Sequence, residues 1–200
     1  MNCSNVLAGL SEIKEFWAPM DMLRYLLLLA GLDAVSGLYI SNVVERCETL
    51  ALPRSGYAHW YHRAMLRSGG ALCALLAVIT GVACLIPGDC ISTVLTAAGI
   101  FALNLVVLTN IQLFITLISR KVTLGYGLCM LSQLLSVFCS ERLPMVGKLL
   151  LIGNWGMMVR STLVNPAGIS IRFVIGLEVL ILALLWILGW RMIRKNRRGA

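Results

Sequence analysis

The chain has 200 residues, enough for one domain of ordinary size. Apolar residues make up 59% of it and charged residues only 13%, whereas a soluble domain carries about 25% charged residues. This composition excludes a soluble globular protein, and it excludes a disordered chain because disordered chains are poor in apolar residues. Although the net charge is +8, no aromatic-interleaved basic patch accompanies it, so nucleic-acid binding is not expected.

What remains is an all-α integral membrane protein with one transmembrane domain over residues 1–200. Residues 1–18 are expected to form a short interfacial helix, with Phe16 and Trp17 at its end. A span needs about 20 mainly apolar residues to cross roughly 30 Å of hydrocarbon. Four such spans follow along the chain: Leu23–Ile40, Gly69–Pro87, Ile91–Ser119 and Val122–Ser140. The last span is predicted over Arg172–Trp190, before the basic tail 191–200.

The stretch Met145–Val159 is apolar but too short to span, because about 15 residues rise only roughly 22 Å as a helix. Gly147, Gly153 and Gly156 interrupt it, and glycines allow the close packing that shields a backbone from lipid. We therefore predict that residues 143–168 form a re-entrant segment, with two short helical pieces near the outer face.

The basic residues predict the orientation. If the glycine-rich segment re-enters, eleven basic residues fall on the side of the loop 41–68 and the tail, and six on the other side. If all six apolar segments cross instead, the two sides hold nine and eight. The positive-inside rule favours the first arrangement, with five spans, a cytoplasmic C-terminus and the N-terminus outside. The tail is then chiefly a topology anchor that can also contact anionic lipid head groups.

The most informative stretch follows the first predicted span and reads Glu45-Arg46-Cys47-Glu48-Thr49-Leu50-Ala51-Leu52-Pro53-Arg54-Ser55-Gly56. Residues 57–67 continue it as an amphipathic helix. The stretch resembles the coupling region of type-2 ABC exporter permeases, which often shows Glu-Arg, then Thr-Leu, then a turn with Pro and Ser or Arg, then a helix. The residues that match in kind are Glu45, Arg46, Thr49, Leu50, Pro53 and Arg54. Cys47 stands where the family usually has Gly.

The resemblance implies a fold and partners. Family members have six spans, with a re-entrant hairpin on the outer face between the fifth and the sixth. If residues 23–40 correspond to the family's second span, only the first span is missing, which indicates a short variant or a late start codon. The stretch Gly153–Thr162 is also similar to small permeases of peptide-exporting ABC systems. The implied partners are separate ATPase subunits and a second, identical or different, permease subunit, with membrane lipids around them.

The resemblance also implies where the ATPase binds. In the family, the coupling segment is cytoplasmic and docks into a groove of the ATPase. We expect the exposed face of the helix 57–67 to enter that groove through Trp60 and Tyr61. Arg54, Arg63 and Arg67 would form a charged rim, because aromatic and Arg side chains commonly dominate interfaces.

Three functions are compatible with these features. The first is the membrane subunit of an ABC exporter for a peptide, lipid-like or drug-like substrate. The alternative is a stand-alone membrane immunity or scaffold protein without transport activity, whose loop 41–68 simply lies on anionic lipid. The third is a small ion-coupled transporter that uses Asp33 or Glu178, which is disfavoured because the chain shows no internal repeat.

Polar residues inside the predicted spans are costly and are functional by default. Asp33 and Glu178 are either interhelical pairs or groups on a transport path. Asn104, Asn110 and Gln112 are expected to donate hydrogen bonds to other helices. Five glycines are predicted close-packing points between helices: Gly31, Gly81, Gly99, Gly125 and Gly176.

No enzymatic activity is expected. The chain contains no P-loop, no His-Glu-x-x-His and no Gly-x-Ser-x-Gly sequence, so ATP hydrolysis would need another subunit. The seven cysteines are odd in number and have no paired spacing, which argues against a disulfide scaffold or a metal site. His59 and His62 lack an acidic or Cys partner nearby in sequence and are expected to be interfacial. We predict no cofactor.

Overall fold

A computed structural model describes residues 7–11, 19–46, 56–85 and 90–198 of the chain. Six α-helices lie in these ranges: α1 Pro19–Arg46, α2 Tyr57–Cys84, α3 Ile91–Ser119, α4 Val122–Cys139, α5 Met145–Leu150 and α6 Ile171–Arg198. All but α5 contain a stretch long and apolar enough to cross a membrane. Extended pairing within the described ranges is limited to an isolated bridge between Ser161 and Ile169. The structure therefore confirms the prediction of an all-α membrane protein.

Helix α3 forms the centre of the bundle and packs against α1, α2, α4 and α6. Its apolar residues lie all around the helix, as expected where neighbours cover every side. Helix α6 lies at the periphery. Only 11% of its most apolar stretch is buried, against 44% for α3, so most of the α6 surface faces away from the bundle.

The second span differs from its prediction. The expected amphipathic helix 57–67 and the expected span Gly69–Pro87 are one continuous helix, α2. The pair Gly69-Gly70 does not interrupt it. A Cβ at position 69 would come within 3.3 Å of Val106 on α3, so Gly69 serves as a packing point inside a straight element. Helix α1 likewise continues past Ile40 to Arg46.

One end of the bundle carries most of the basic residues, and we call it the basic end. It contains the C-terminal turns of α1, α3 and α6 and the start of α2, which meet in an apolar cluster with Ile40, Trp60, Leu117 and Ile193 at its centre. The flanks of residues 47–55 and the start of the tail therefore lie at the same end of the bundle. The five-span arrangement favoured by the distribution of basic residues has this same placement. That this end faces the cytoplasm stays a prediction.

The opposite end contains the glycine-rich segment, and the segment does not span. Helix α5 is followed by two short 3-10 turns, Ile152–Asn154 and Met158–Arg160, so the predicted broken conformation is confirmed. The segment packs against α4. A Cβ at Gly153 would lie 2.7 Å from the Ser136 hydroxyl oxygen, so this contact depends on the absence of a side chain.

The described N-terminal piece also belongs to this opposite end. Leu7, Ala8 and Leu10 are buried in the same apolar cluster as Phe101 and Met157. The predicted interfacial placement is therefore wrong for these residues, because their side chains pack inside the bundle. The remainder of the expected helix 1–18 lies outside the described residues.

The prediction of five packing glycines holds at one position. A Cβ at Gly125 would lie 2.6 Å from the Thr116 hydroxyl oxygen and 2.8 Å from the Gln112 carbonyl oxygen. The other four have no atom within 4 Å of such a Cβ: Gly31, Gly81, Gly99 and Gly176. A glycine in a span permits a close approach, but its sequence position does not tell which helix face meets a neighbour.

Candidate functional site

The predicted coupling segment connects α1 to α2 at the basic end. Glu45 is exposed on the last turn of α1, and Arg46 is the final residue of that helix. The other four matching residues, Thr49, Leu50, Pro53 and Arg54, lie outside the described residues. The structure therefore places both flanks of the segment at one end of the bundle.

Trp60 and Tyr61 are buried, so the expectation that they lie on the exposed face of α2 is wrong. They are 5% and 1% exposed and pack in the apolar cluster of the basic end. Tyr61 lies directly against Gly189 of α6, where a side chain would collide with the tyrosine ring. These aromatic residues hold the basic end together and do not form a free surface.

The opposite face of α2 is open. Arg63 and Arg67 are both exposed one turn apart, and Leu66 between them is 65% exposed. Residues three and four apart share a helix face, so these side chains form one surface in the first turns of α2. Of the predicted charged rim, Arg63 and Arg67 are exposed and Arg54 lies outside the described residues, so the rim stays a prediction; the apolar side chain between the two exposed arginines is Leu66.

Helix α6 adds aromatic and cationic groups to the basic end. The His62 ring stacks on the Trp186 ring with 4.1 Å between centroids, and its Nε2 lies 2.8 Å from the Trp186 carbonyl oxygen. One turn further, the Arg191 guanidinium lies 5.6 Å from the centre of the Trp190 ring. His62 thus joins α2 to α6, and the charges of α6 project beyond this joint.

Glu178 is part of a polar contact between three elements inside the bundle. The Asn104 side-chain amide of α3 donates one hydrogen bond to the Glu178 carboxylate at 3.1 Å and another to the Ile152 carbonyl oxygen at 2.9 Å. Both side chains are at most 2% exposed. The expectation of an interhelical bond is confirmed for Asn104. Glu178 binds an amide, so its role here is to connect α6 to α3 and to the re-entrant segment.

Asp33 lies in a second polar region, between α1 and α4. It is 4% exposed and has the Gln133 side chain as its neighbour, yet its Oδ2 and both polar atoms of the Gln133 amide lack a hydrogen-bond partner. One turn along α1, the Ser36 hydroxyl donates to Gln112 Oε1 at 2.8 Å. Unsatisfied buried polar groups are uncommon and need a reason. That Asp33 lies on a transport path stays a prediction.

The other predicted polar residues of α3 behave differently from expectation. Gln112 accepts its interhelical bond and does not donate it. Asn110 donates to the Val106 carbonyl oxygen of its own helix at 2.8 Å, so the interhelical expectation is wrong for this residue. The side chain is 2% exposed, and an amide can satisfy one donor on the preceding turn without leaving the helix surface.

Arg160 is the residue that sequence reasoning missed. It was counted only as a charge outside the membrane, but it is 1% exposed, with its guanidinium inside the bundle. Its Nε donates to the Leu10 carbonyl oxygen at 2.8 Å. Its Nη1 donates to the Asn154 side chain at 2.6 Å and to the Ser136 carbonyl oxygen. The guanidinium thereby joins the N-terminal piece, α4 and the re-entrant segment.

Comparison with family models, with curated proteins and with solved structures found no match to this chain. Within the described ranges, no group of three or more His, Cys, Asp or Glu side chains could hold a metal ion. The candidate functional regions are thus the exposed basic surface of α2 with its connecting segment, and the buried polar residues between the helices.

Proposed function

We propose that the chain is the membrane-spanning subunit of an ABC exporter that moves a peptide, lipid-like or drug-like substrate and is driven by separate ATPase subunits. The observation that carries the proposal is the placement of two segments. The segment that resembles an ATPase-coupling region joins α1 to α2 at the basic end, while the broken segment 145–160 packs at the opposite end, directly before the last span. The family has this same order and separation.

The surface chemistry of α2 supports an ATPase contact at the basic end. Arg63, Leu66 and Arg67 are exposed together, and an Arg pair around an apolar side chain is a common composition for the centre of an interface. Because α2 is one rigid helix from this surface to Cys84, a movement of the ATPase would be transmitted directly into a membrane span. Rigid-body motion of packed helices is a common form of such coupling.

Co-purification tests the proposal. The variant Arg63→Ala/Leu66→Ala/Arg67→Ala should lose an ATPase that co-purifies with the wild-type protein, while membrane levels stay unchanged because all three side chains are exposed. Arg172→Ala, an exposed cation at the opposite end, is the matched control and should retain the ATPase. Trp60 is left intact, because replacing a buried residue would weaken the fold itself.

Two results would contradict the proposal. If no P-loop ATPase co-purifies with the wild-type protein, the stand-alone membrane immunity or scaffold protein becomes the better interpretation. If an ATPase is present and the triple variant retains it fully at normal membrane levels, the exposed face of α2 is not the docking surface.

A further inference from the structure

Helix α6 has an apolar groove in the membrane and a cationic pocket at the basic end. The groove has a volume of about 260 Å³ and lies between α3 and α6, lined by Phe114, Ile181, Leu184, Leu185, Leu188, Gly189 and Met192. The pocket has a volume of about 450 Å³, and the described residues that line it are Trp190, Arg191, Arg194 and Lys195. The proposed exporter function uses neither feature.

The two features are continuous on the helix surface. Leu188 and Met192 line the groove, whereas Arg191 and Lys195 line the pocket. Residues three and four apart are neighbours on a helix, so Leu188 adjoins Arg191 and Met192, and both of these adjoin Lys195. The apolar surface therefore passes directly into the cationic surface.

The dimensions fit one leaflet of a bilayer. From Ile181 to Met192 the groove follows α6 for roughly 16 Å at 1.5 Å per residue. Half of the hydrocarbon layer is roughly 15 Å thick. Trp190 lines the cationic pocket at the basic end of the groove, and aromatic residues are enriched at membrane interfaces. An acyl chain in the groove would thus place its head group level with the cations.

The charge selects the kind of lipid. Three cations line the pocket, no acidic residue of the described ranges does, and Arg191 and Lys195 are exposed. Each such cation near a membrane surface contributes an attraction for anionic lipid that corresponds to roughly a fivefold change in affinity. Lipid also has free access, because α6 is the least covered of the five long helices.

We propose that this surface of α6 binds an anionic phospholipid, with an acyl chain in the groove between α3 and α6 and the phosphate head group on Arg191, Arg194 and Lys195. The occupied site would connect α3 to α6 near the basic end, where His62 of α2 already contacts the Trp186 carbonyl oxygen of α6. Bound lipid would then stabilise the contact between the most buried and the least buried helix.

Tryptophan quenching tests this site, because Trp186 and Trp190 lie beside it. The full-length protein is reconstituted in phosphatidylcholine vesicles that contain a minor fraction of phosphatidylglycerol with brominated acyl chains. A parallel sample carries brominated phosphatidylcholine instead. We expect stronger quenching by the anionic lipid. Arg191→Gln/Arg194→Gln/Lys195→Gln should weaken its apparent affinity by roughly fivefold per cation removed.

A charge control and a groove variant with its own control separate the head-group contribution from the acyl-chain contribution. Arg142→Gln/Lys148→Gln removes cations at the opposite end and should leave the preference unchanged. Leu184→Phe fills the groove and should reduce quenching by both brominated lipids. Leu180→Phe changes an exposed residue of the same helix outside the groove and should not reduce it.

Four results would overturn the proposal. The two lipids could quench equally in the wild-type protein, or the triple Gln variant could keep the preference. Inorganic phosphate in the buffer could abolish the preference at constant ionic strength, which would indicate a site for a free anion. Finally, Leu184→Phe could change the oligomeric state without altering lipid quenching, which would assign the groove to a second copy of the chain.

Discussion

The two ends of the bundle are held together by different forces. At the basic end, apolar and aromatic side chains such as Trp60 and Tyr61 form the contact, and the charges remain outside. At the opposite end, which we call the Arg160 end, a guanidinium lies inside and binds backbone carbonyl groups of separate elements. The first arrangement leaves cations free for partners, whereas the second uses its cation for the fold. A basic residue next to a span can therefore have either role.

The largest expected effect is that of removing the buried cation. Arg160→Ala would leave the Leu10 and Ser136 carbonyl oxygens and the Asn154 side chain without this donor, and each unsatisfied buried group costs about 1–3 kcal/mol. We expect a loss on the order of 5 kcal/mol or failure to accumulate, measured as the fraction that stays monodisperse on heating in detergent. Arg160→Lys should recover only part, because an ammonium cannot reproduce the guanidinium geometry.

The exposed Arg172 provides the control for that experiment. Arg172→Ala should change the melting behaviour little, since surface substitutions usually stay within about 0.5 kcal/mol. Equal effects at positions 160 and 172 would show that Arg160 does not hold this end of the bundle together.

At the basic end, a buried aromatic residue and an exposed cation of α2 can be compared in the same way. Trp60→Ala should cost about 3–5 kcal/mol, as for other buried large-to-small substitutions. Arg63→Ala, three residues away on the exposed face, should cost almost nothing in the same melting assay. A stability loss for Arg63→Ala as large as that for Trp60→Ala would refute the division of α2 into a packing face and a free face.

A smaller effect on stability is expected from adding a side chain at Gly153, where the backbone packs closely against α4 at the Arg160 end. Gly153→Ala places a methyl group 2.7 Å from the Ser136 hydroxyl oxygen and 3.0 Å from the Gln133 Cα, and overpacking typically costs about 1–3 kcal/mol. Gly81→Ala, inside α2 and facing open space, should be neutral or stabilising because alanine favours the helix. If both variants melt alike, the re-entrant segment does not depend on this close approach.

The smallest effect on stability should come from neutralising the buried carboxyl of α6. Glu178→Gln keeps an oxygen that can accept from Asn104, so its melting should resemble that of the wild type. Glu178→Leu removes the acceptor and should cost about 0.6–1.7 kcal/mol, from the average to the largest value measured for such bonds in a membrane protein. A severe loss in Glu178→Gln would mean that the negative charge itself matters, and would favour a path role for this residue.

Cys90 gives a chemical measure of the Arg160 end without a change in stability. The Ser92 hydroxyl lies 3.1 Å from its sulfur, and hydrogen bonds from Ser92 and from the Thr93 backbone lower the pKa of this exposed thiol to about 7. The lowered pKa predicts that alkylation of Cys90 reaches half its maximal rate near pH 7, about two pH units below an ordinary thiol. Single-cysteine variants alkylated across a pH series would show this, with His59→Cys at the basic end as the comparison. If the basic end is cytoplasmic, an impermeant reagent should reach only Cys90 in intact cells.

The sequence was sufficient to predict the number of spans and the break before α6, because hydropathy and length depend only on composition along the chain, but it did not predict the bounds of α1 and α2. It was not sufficient to predict which face of α2 packs inward. The sequence pattern at Trp60, Tyr61, Arg63 and Arg67 is amphipathic whether the aromatic residues pack inside the bundle or face a partner. Only the position of α6 shows that the aromatic face is covered. Similarly, Asn104 was correctly assigned an interhelical bond, but its partners come from residues 48 and 74 positions away.

Arg160 shows the same limit more strongly. Charge counting treats every basic residue outside a span as solvated. It therefore did not distinguish Arg160 from the other five basic residues assigned to the same side of the membrane. Its environment is formed by carbonyl groups of Leu10 and Ser136, and backbone groups have no sequence signal. Only the glycine-rich run directly before Arg160 hinted that the backbone there packs tightly.

The hydrogen bond between Arg160 and Leu10 also determines when the N-terminal piece can be anchored during synthesis. The two residues are 150 positions apart, and a ribosome adds about 5–20 residues per second, so Leu10 waits roughly 8 to 30 s for its partner to be synthesised. During that interval α1 to α4 are being synthesised and begin to enter the membrane, while the N-terminal piece lacks the Arg160 guanidinium. Closure of the Arg160 end is therefore a late event in biogenesis. A ribosome stalled before residue 160 would hold a chain that lacks both Arg160 and α6, so its first residues are not yet anchored.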